Sequence, residues 1–230
     1  MMNIGFDGAT LRIGVFVSPD TIRDWARIKH GTFATLKSAM EGGLQSEVSD
    51  VFSTSQGFPW NVNVRFSSIE QISQSKVDEW INNAEAKPEF RRSAPFARDF
   101  CTYVNRVKGT RYDVGILVLR QAEQTATQLA PASAGGIGTL CNTQMNANCL
   151  YMKSEIIPSS GIPSPVWHEL MGHELGHLFG GLHPLWEDKP CHDIMASPGI
   201  KSPNGLTWGS CTTPKLIEVQ SDGGLGCVGL

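Results

Sequence analysis

Apolar residues follow two alternating rhythms along the first half of the chain. Leu11 to Val17 (LRIGVFV) is a β-branched apolar run closed by Ser18-Pro19-Asp20, and it predicts a buried first strand. Thr21 to about Phe52 spaces its apolar residues helically, with a break near Gly42-Gly43, so one or two helices should cover that strand. Trp60 to Ser67 alternates and predicts a second strand. Lys76 to Val107 is helical again, interrupted around Pro88 and Pro95, and ends near Gly109. Tyr112 to Arg120 (YDVGILVLR) is apolar at consecutive positions, as expected of a central strand covered on both faces. Gln121 to Ala134 reads as a polar loop, and Gly135 to Cys141 as a glycine-rich extended stretch. This alternation of strands and helices predicts an α/β layer. Ser164-Pro165 then reads as an N-cap with proline at the first helical position, so a further helix should run from Pro165 to about Phe179 beneath the layer. Turns follow until a last short helix at Pro214 to Val219. With no repeats, linker or low-complexity tract, residues 1–230 read as one domain split by a cleft at the Pro165 helix.

That helix carries the chemistry. His173-Glu174-Leu175-Gly176-His177-Leu178-Phe179-Gly180-Gly181-Leu182-His183 spells H-E-x-x-H-x-x-G-x-x-H. Positions four apart on a helix lie one above the other, so His173 and His177 offer two imidazoles to one point. Glu174 projects about 100° round from His173, within reach of a water at the same point. Six further residues would overshoot that face, but a glycine just past the helix end accepts a left-handed turn. Gly180 can therefore swing the chain back and present His183. Three histidines leave the fourth tetrahedral position of Zn²⁺ open, which marks a catalytic site. A bare H-E-x-x-H arises by accident in roughly one chain in a hundred of this length, and adding the glycine and third histidine lowers that to the order of one in tens of thousands. His168 lies five residues before His173, about 140° round the helix, and cannot share the metal. It reads as an ordinary helix residue, and His192 as a surface turn residue or, alternatively, a pH-sensitive neighbour of the site.

Composition narrows the class. A net charge of −3 leaves no basic footprint for nucleic acid or an anionic membrane. No window approaches 18 apolar residues, so no membrane span is expected. Met1-Met2-Asn3-Ile4-Gly5 lacks the basic and apolar regions of a signal peptide, although a chain already freed of its leader reads the same. The six cysteines contain no C-x-x-C pair and are either reduced thiols or three disulfides. Beside a protease motif, disulfides in an oxidising, extracellular setting are the favoured reading.

Met195, in Asp193-Ile194-Met195-Ala196-Ser197, stands twelve residues past His183. The long histidine motif followed by such a methionine resembles the metzincin clan, where a Met-turn floors the metal site. Tyr112-Asp113-Val114-Gly115-Ile116-Leu117, Gly138-Thr139-Leu140-Cys141, Ile194-Met195-Ala196-Ser197 and Trp208-Gly209-Ser210-Cys211-Thr212 are most similar to the reprolysin (ADAM and ADAMTS) catalytic domain, the ADAMTS branch above all. The likeness covers roughly Phe100 to Cys227 and the first hundred residues only in outline. It implies a metzincin fold: a twisted, mostly parallel sheet with an antiparallel edge strand, two long helices and a small irregular C-terminal subdomain. The upper subdomain would span about 1–180 and the lower about 181–230. The same resemblance implies the disulfides Cys101–Cys149, Cys141–Cys227 and Cys191–Cys211. Calcium is not assigned. Asp113 matches one ligand position of many reprolysins, but the acidic residue expected on the first strand is replaced by an apolar one near Ile13.

The expected activity is peptide-bond hydrolysis by a monomeric, secreted enzyme acting on protein or peptide substrates. His173, His177 and His183 would hold Zn²⁺, and Glu174 would take the proton of the attacking water and return it to the leaving amine. By resemblance, Gly138-Thr139-Leu140 would be the edge strand that pairs with an extended substrate. Two alternatives stay open. Pro184, where reprolysins usually carry Asp, is shared with serralysin-like metzincins; these have Tyr two residues after the Met, where this chain has Ser197. A catalytically silent adhesion or binding module is the other, although silent members usually lose the Glu or a ligand and this chain keeps all four residues.

Overall fold

The computed structural model describes residues 9–85, 93–108, 112–120, 129, 132–134, 140, 148–154, 166–183, 193–195, 207–209 and 212–221. It is a mixed α/β architecture. The strands are β1 (Ala9–Val17), β2 (Val62–Gln71), β3 (Val114–Arg120), β4 (Ala132–Ala134) and β5 (Cys149–Ser154). They form one sheet in the order β2-β1-β3-β5-β4, parallel except for β4, which runs antiparallel along β5. Helices α1 (Pro19–Lys29), α2 (Phe33–Ala39) and α3 (Gln45–Val51) connect β1 to β2, and α4 (Gln74–Glu85) and α5 (Ser93–Lys108) connect β2 to β3. The first connection moves outward from β1 in one direction and the second crosses back in the other. Right-handed crossovers then put the two helix groups on opposite faces.

The side chains record this sandwich. Leu11, Ile13, Val15 and Val17 of β1 pack with Leu36, Val48 and Val51 on one face, whereas Phe16 packs with Trp80, Phe96 and Phe100 on the other. In β3, Val114, Ile116 and Val118 join the first cluster, and Leu117 and Leu119 the second. An uninterrupted apolar run is what a strand buried on both faces requires. The helix α6 (Val166–Leu178) adds Trp167, Met171, Leu175 and Leu178 to the first cluster, and α7 (Thr213–Ser221) adds Leu216.

Several boundaries differ from the sequence reading for physical reasons. Gly42-Gly43 does not end the helix: Met40–Leu44 forms a π-helical turn that carries α2 into α3, with Met40 and Leu44 still buried. Pro95 lies in the first turn of α5, where a missing N–H costs nothing, and so does not interrupt it. Pro88 and Gly109 lie outside the described residues. The tract 121–134, whose sequence reads as a polar loop, ends in the strand β4, and the tract of β5 carries no clear strand signal in its sequence. Both are short, and β4 carries only Ala-Ser-Ala, too small to leave an apolar signature. The disulfide Cys101–Cys149 is present, with its Cα atoms 5.3 Å apart, and ties α5 to the start of β5. Cys141, Cys191, Cys211 and Cys227 lie outside the described residues. No described helix is long and apolar enough to cross a membrane.

Candidate metal centre

Helix α6 delivers His173, Glu174 and His177 to a largely dry place. They are 6 %, 6 % and 9 % exposed, while His183 is open to solvent. The helix ends as the glycine predicted. Gly180 adopts φ 104°, its N–H donates to the His177 carbonyl at 2.9 Å, and the Gly181 N–H donates to the Gly176 carbonyl at 2.8 Å. This pair of bonds is a Schellman closure, and it turns the chain back toward the helix face. His183 Nε2 consequently lies 3.0 Å from His173 Nε2 and 3.1 Å from His177 Nε2.

Those contacts are poor hydrogen bonds but a good ligand set. His173 Nδ1 faces the Ile194 carbonyl at 2.7 Å, and His177 Nδ1 faces the Gly181 carbonyl at 2.8 Å. A carbonyl can only accept, so both Nδ1 atoms carry the hydrogen, and both Nε2 atoms of the neutral rings keep a lone pair. His183 Nε2 has at most one hydrogen and can satisfy only one of them. Protonation is no remedy. Burial pushes all three imidazoles below their usual range, His177 to about 4, and mutual repulsion adds to this at His173 and His177. A shared cation resolves the conflict. Three nitrogens on a tetrahedral ion at Zn–N distances sit about 3.3 Å apart, close to the separations seen here. The three ligand atoms all lie within 4.8 Å of one another and could hold a metal ion. An all-imidazole donor set suits zinc and offers no hard oxygen for calcium or magnesium.

Burial pushes the Glu174 carboxyl up to about 8, and an N–H bond from Ala134 of β4 pulls the other way. The described antiparallel edge of the sheet thus reaches the acid of the motif directly. Of the edge expected at Gly138-Thr139-Leu140, Gly138 and Thr139 lie outside the described residues; Leu140 is 2 % exposed and its N–H donates to the Leu178 carbonyl at the end of α6. Leu140 is therefore tied to the histidine helix, and the described edge strand is Ala132–Ala134.

Met195 is fully buried, and a Cβ added at Gly176 would meet its Sδ at 2.5 Å. The absent side chain of Gly176 lets the turn at Met195 press on the helix between its two histidines. Asp193 and Thr212 hold that turn, which the spacing of the histidines gives no sign of. His168 pairs with Glu47 at 3.2 Å, bridging α6 to α3 as an ordinary helix residue would. His192 and Pro184 lie outside the described residues. Asp113 accepts from Arg12 Nη2 at 2.7 Å and from the Arg12 backbone N–H at 2.7 Å, so both its oxygens are engaged. Ile13, at the neighbouring position, is buried in the sheet.

Comparison with known proteins gives little beyond the geometry. No protein-family model and no curated protein matches the chain. One solved structure that matches is described as "Structure of a chaperone-substrate complex", with 15 % identity and a TM-score of 0.44. The match covers 77 % of this chain and only 25 % of that one.

Proposed function

We propose that this chain is a zinc-dependent endopeptidase of the metzincin kind, closest in character to the reprolysin catalytic domain. The observation that carries the reading is the convergence of three imidazole Nε2 atoms beside the buried Glu174 carboxyl. The strand order β2-β1-β3-β5-β4 with an antiparallel edge supports it, as does the buried Met195 under α6. Cys101–Cys149 supports an oxidising, extracellular setting.

His173, His177 and His183 would hold the ion. When bound, zinc supplies a Lewis acid that lowers the pKa of a water to about 7 and polarises the substrate carbonyl. Glu174 would accept the proton of the attacking water on a carboxylate oxygen and pass it to the leaving nitrogen as the C–N bond breaks. Burial and the Ala134 N–H act on this carboxyl in opposite directions, and a bound dication would favour its carboxylate form, the form a general base needs. An extended peptide adding to the β4 edge would run past Glu174, which selects unfolded or loop segments as substrates. The enzyme acts as a monomer on protein or peptide.

The test is metal content together with cleavage of denatured casein or gelatin, with and without 1,10-phenanthroline. About one zinc per chain and chelator-sensitive cleavage are expected. Glu174→Gln should retain the zinc and lose all but a few per cent of the rate. A metal-free chain, or cleavage indifferent to the chelator, refutes the proposal.

A further inference from the structure

Asp193 is a carboxylate in the wrong place for a surface group: it is 3 % exposed, and Thr212 beside it is 2 % exposed. Burying a charge costs several kcal/mol unless it is fully hydrogen-bonded, so such a residue needs a reason. Its two oxygens are divided. Oδ1 accepts from the Met195 N–H at 3.0 Å, and Oδ2 accepts from the Thr212 hydroxyl at 2.6 Å. The first bond is an Asx-type closure that pins residues 193–195 into a tight turn. The second anchors that turn to the start of α7, because the Thr212 carbonyl accepts the Leu216 N–H and so begins the helix.

Between Asp193 and Met195 stands Ile194, and both of its backbone groups are assigned. Its N–H donates to the Thr207 carbonyl at 3.0 Å, and its carbonyl accepts from His173 Nδ1 at 2.7 Å. The orientation of the His173 ring is therefore set by a carbonyl whose own direction is set by Asp193. His177 receives its carbonyl differently, from Gly181 in the closure of its own helix. His173 depends on a segment twenty residues away.

We propose that Asp193, braced by Thr212, is the positioning residue for the metal ligand His173, acting through the Ile194 carbonyl. This rests on the reading of His173, His177 and His183 as the metal site. Asp193 touches neither metal nor substrate. It fixes which His173 nitrogen keeps the lone pair and where that lone pair points. Groups that accept a ligand histidine's other N–H typically contribute 10- to 100-fold in metal affinity, and Asp193 acts on the carbonyl that does so here.

The test measures zinc affinity by competition with a chromophoric chelator, and the visible spectrum of the Co²⁺-substituted protein, for wild type, Asp193→Ala, Asp193→Asn and Thr212→Val. Wild type should bind one ion. Asp193→Ala should bind about 10- to 100-fold more weakly with an altered Co²⁺ spectrum. Asp193→Asn keeps the acceptor for the Met195 N–H, and its amide can donate to Thr212, so it should recover most of the affinity and the wild-type spectrum. Thr212→Val keeps the carboxylate and removes one anchor, and should fall between. Should Asp193→Ala not fold, the contrast of Asp193→Asn with Thr212→Val reads the same bracing. Affinity and spectra equal to wild type in both Asp193→Ala and Thr212→Val overturn the proposal. So does an Asp193→Asn variant weaker than Thr212→Val, which would assign the effect to charge. A wild type that binds no ion refutes the metal site itself, a separate result.

Discussion

The indole N–H of Trp208 donates to the backbone carbonyl of Val51 at 2.7 Å, across 157 residues of sequence. The Trp208 backbone N–H also donates to the Gln56 carbonyl at 2.7 Å. One residue thus clamps the C-terminal segment to the end of α3 and the turn that follows it. Its ring packs against Phe52 and Phe58, with centroids 5.5 and 4.7 Å away. The preceding residue, Thr207, accepts the Ile194 N–H, so the clamp reaches the turn beneath the histidines.

Replacing Trp208 should therefore loosen both fold and site. Trp208→Phe keeps an aromatic but leaves the buried Val51 carbonyl without its donor, a cost of about 1–3 kcal/mol. Trp208→Ala adds a cavity and should cost about 3–5 kcal/mol. Urea unfolding midpoints measure the order Ala below Phe below wild type. An Ala variant as stable as wild type would show that the clamp contributes nothing.

Gly176→Ala sets two effects against each other. Alanine is favoured over glycine in a helix interior by about 1 kcal/mol. Yet the new methyl would sit 2.5 Å from Met195 Sδ and 2.8 Å from the Trp208 ring, closer than atoms tolerate. Overpacking of this kind costs about 1–3 kcal/mol, so the steric term should win. A lower melting temperature with weaker metal retention is expected, and a higher melting temperature would refute the close approach.

How much of this was written in the sequence depends on distance along the chain. The His173–His183 motif is local, so spacing and one glycine suffice to predict the convergence of the three imidazoles. β1 and β3 were legible because burial on both faces demands consecutive apolar residues. β4 was not, since three small residues show no period and the strand exists only by pairing with β5. The bracing of the site was equally silent. Nothing in Trp208 names Val51 as its acceptor, and Asp193 pairs with a threonine nineteen residues on. An aspartate two residues before Met195 was a possible turn signal, but its burial was not visible.

The disulfide offers a separate test of stability. Cys101 and Cys149 enclose a sequence separation of 48 residues. Closing a loop of that length in the unfolded chain is worth about 4 kcal/mol on the chain-entropy estimate. The Cys101→Ser/Cys149→Ser pair should therefore unfold at a clearly lower denaturant concentration. An unchanged midpoint would mean that the link is not formed in the protein as produced.

Without metal, the buried site should impose a defined pH dependence. Glu174 has its folded pKa raised from 4.5 to about 8, chiefly by burial. Between those values the folded state binds more protons than the unfolded state, so this group's contribution is present at low pH and is lost as pH rises through about 8. His177 is lowered from 6.5 to about 4, and His173 and His183 are lowered too. Their contribution runs the other way and is gained as pH rises toward 6.5. Below 6.5 the histidines raise stability with pH against the opposing carboxyl, and well above 6.5 only Glu174 still acts. Stability of the chelated protein should therefore be lower at pH 8.5 than at pH 6.5, falling by at most about 1.4 kcal/mol per pH unit as the Glu174 contribution is lost. Glu174→Gln should remove the alkaline decline and steepen the rise on the acid side, because the carboxyl no longer opposes the histidines. Saturating zinc should flatten both limbs, because a dication beside these groups favours the carboxylate and the neutral imidazoles. Melting curves at pH 5.5, 6.5 and 8.5, with chelator and with zinc, provide the measurement. An alkaline decline that persists undiminished in Glu174→Gln would locate the responsible group elsewhere.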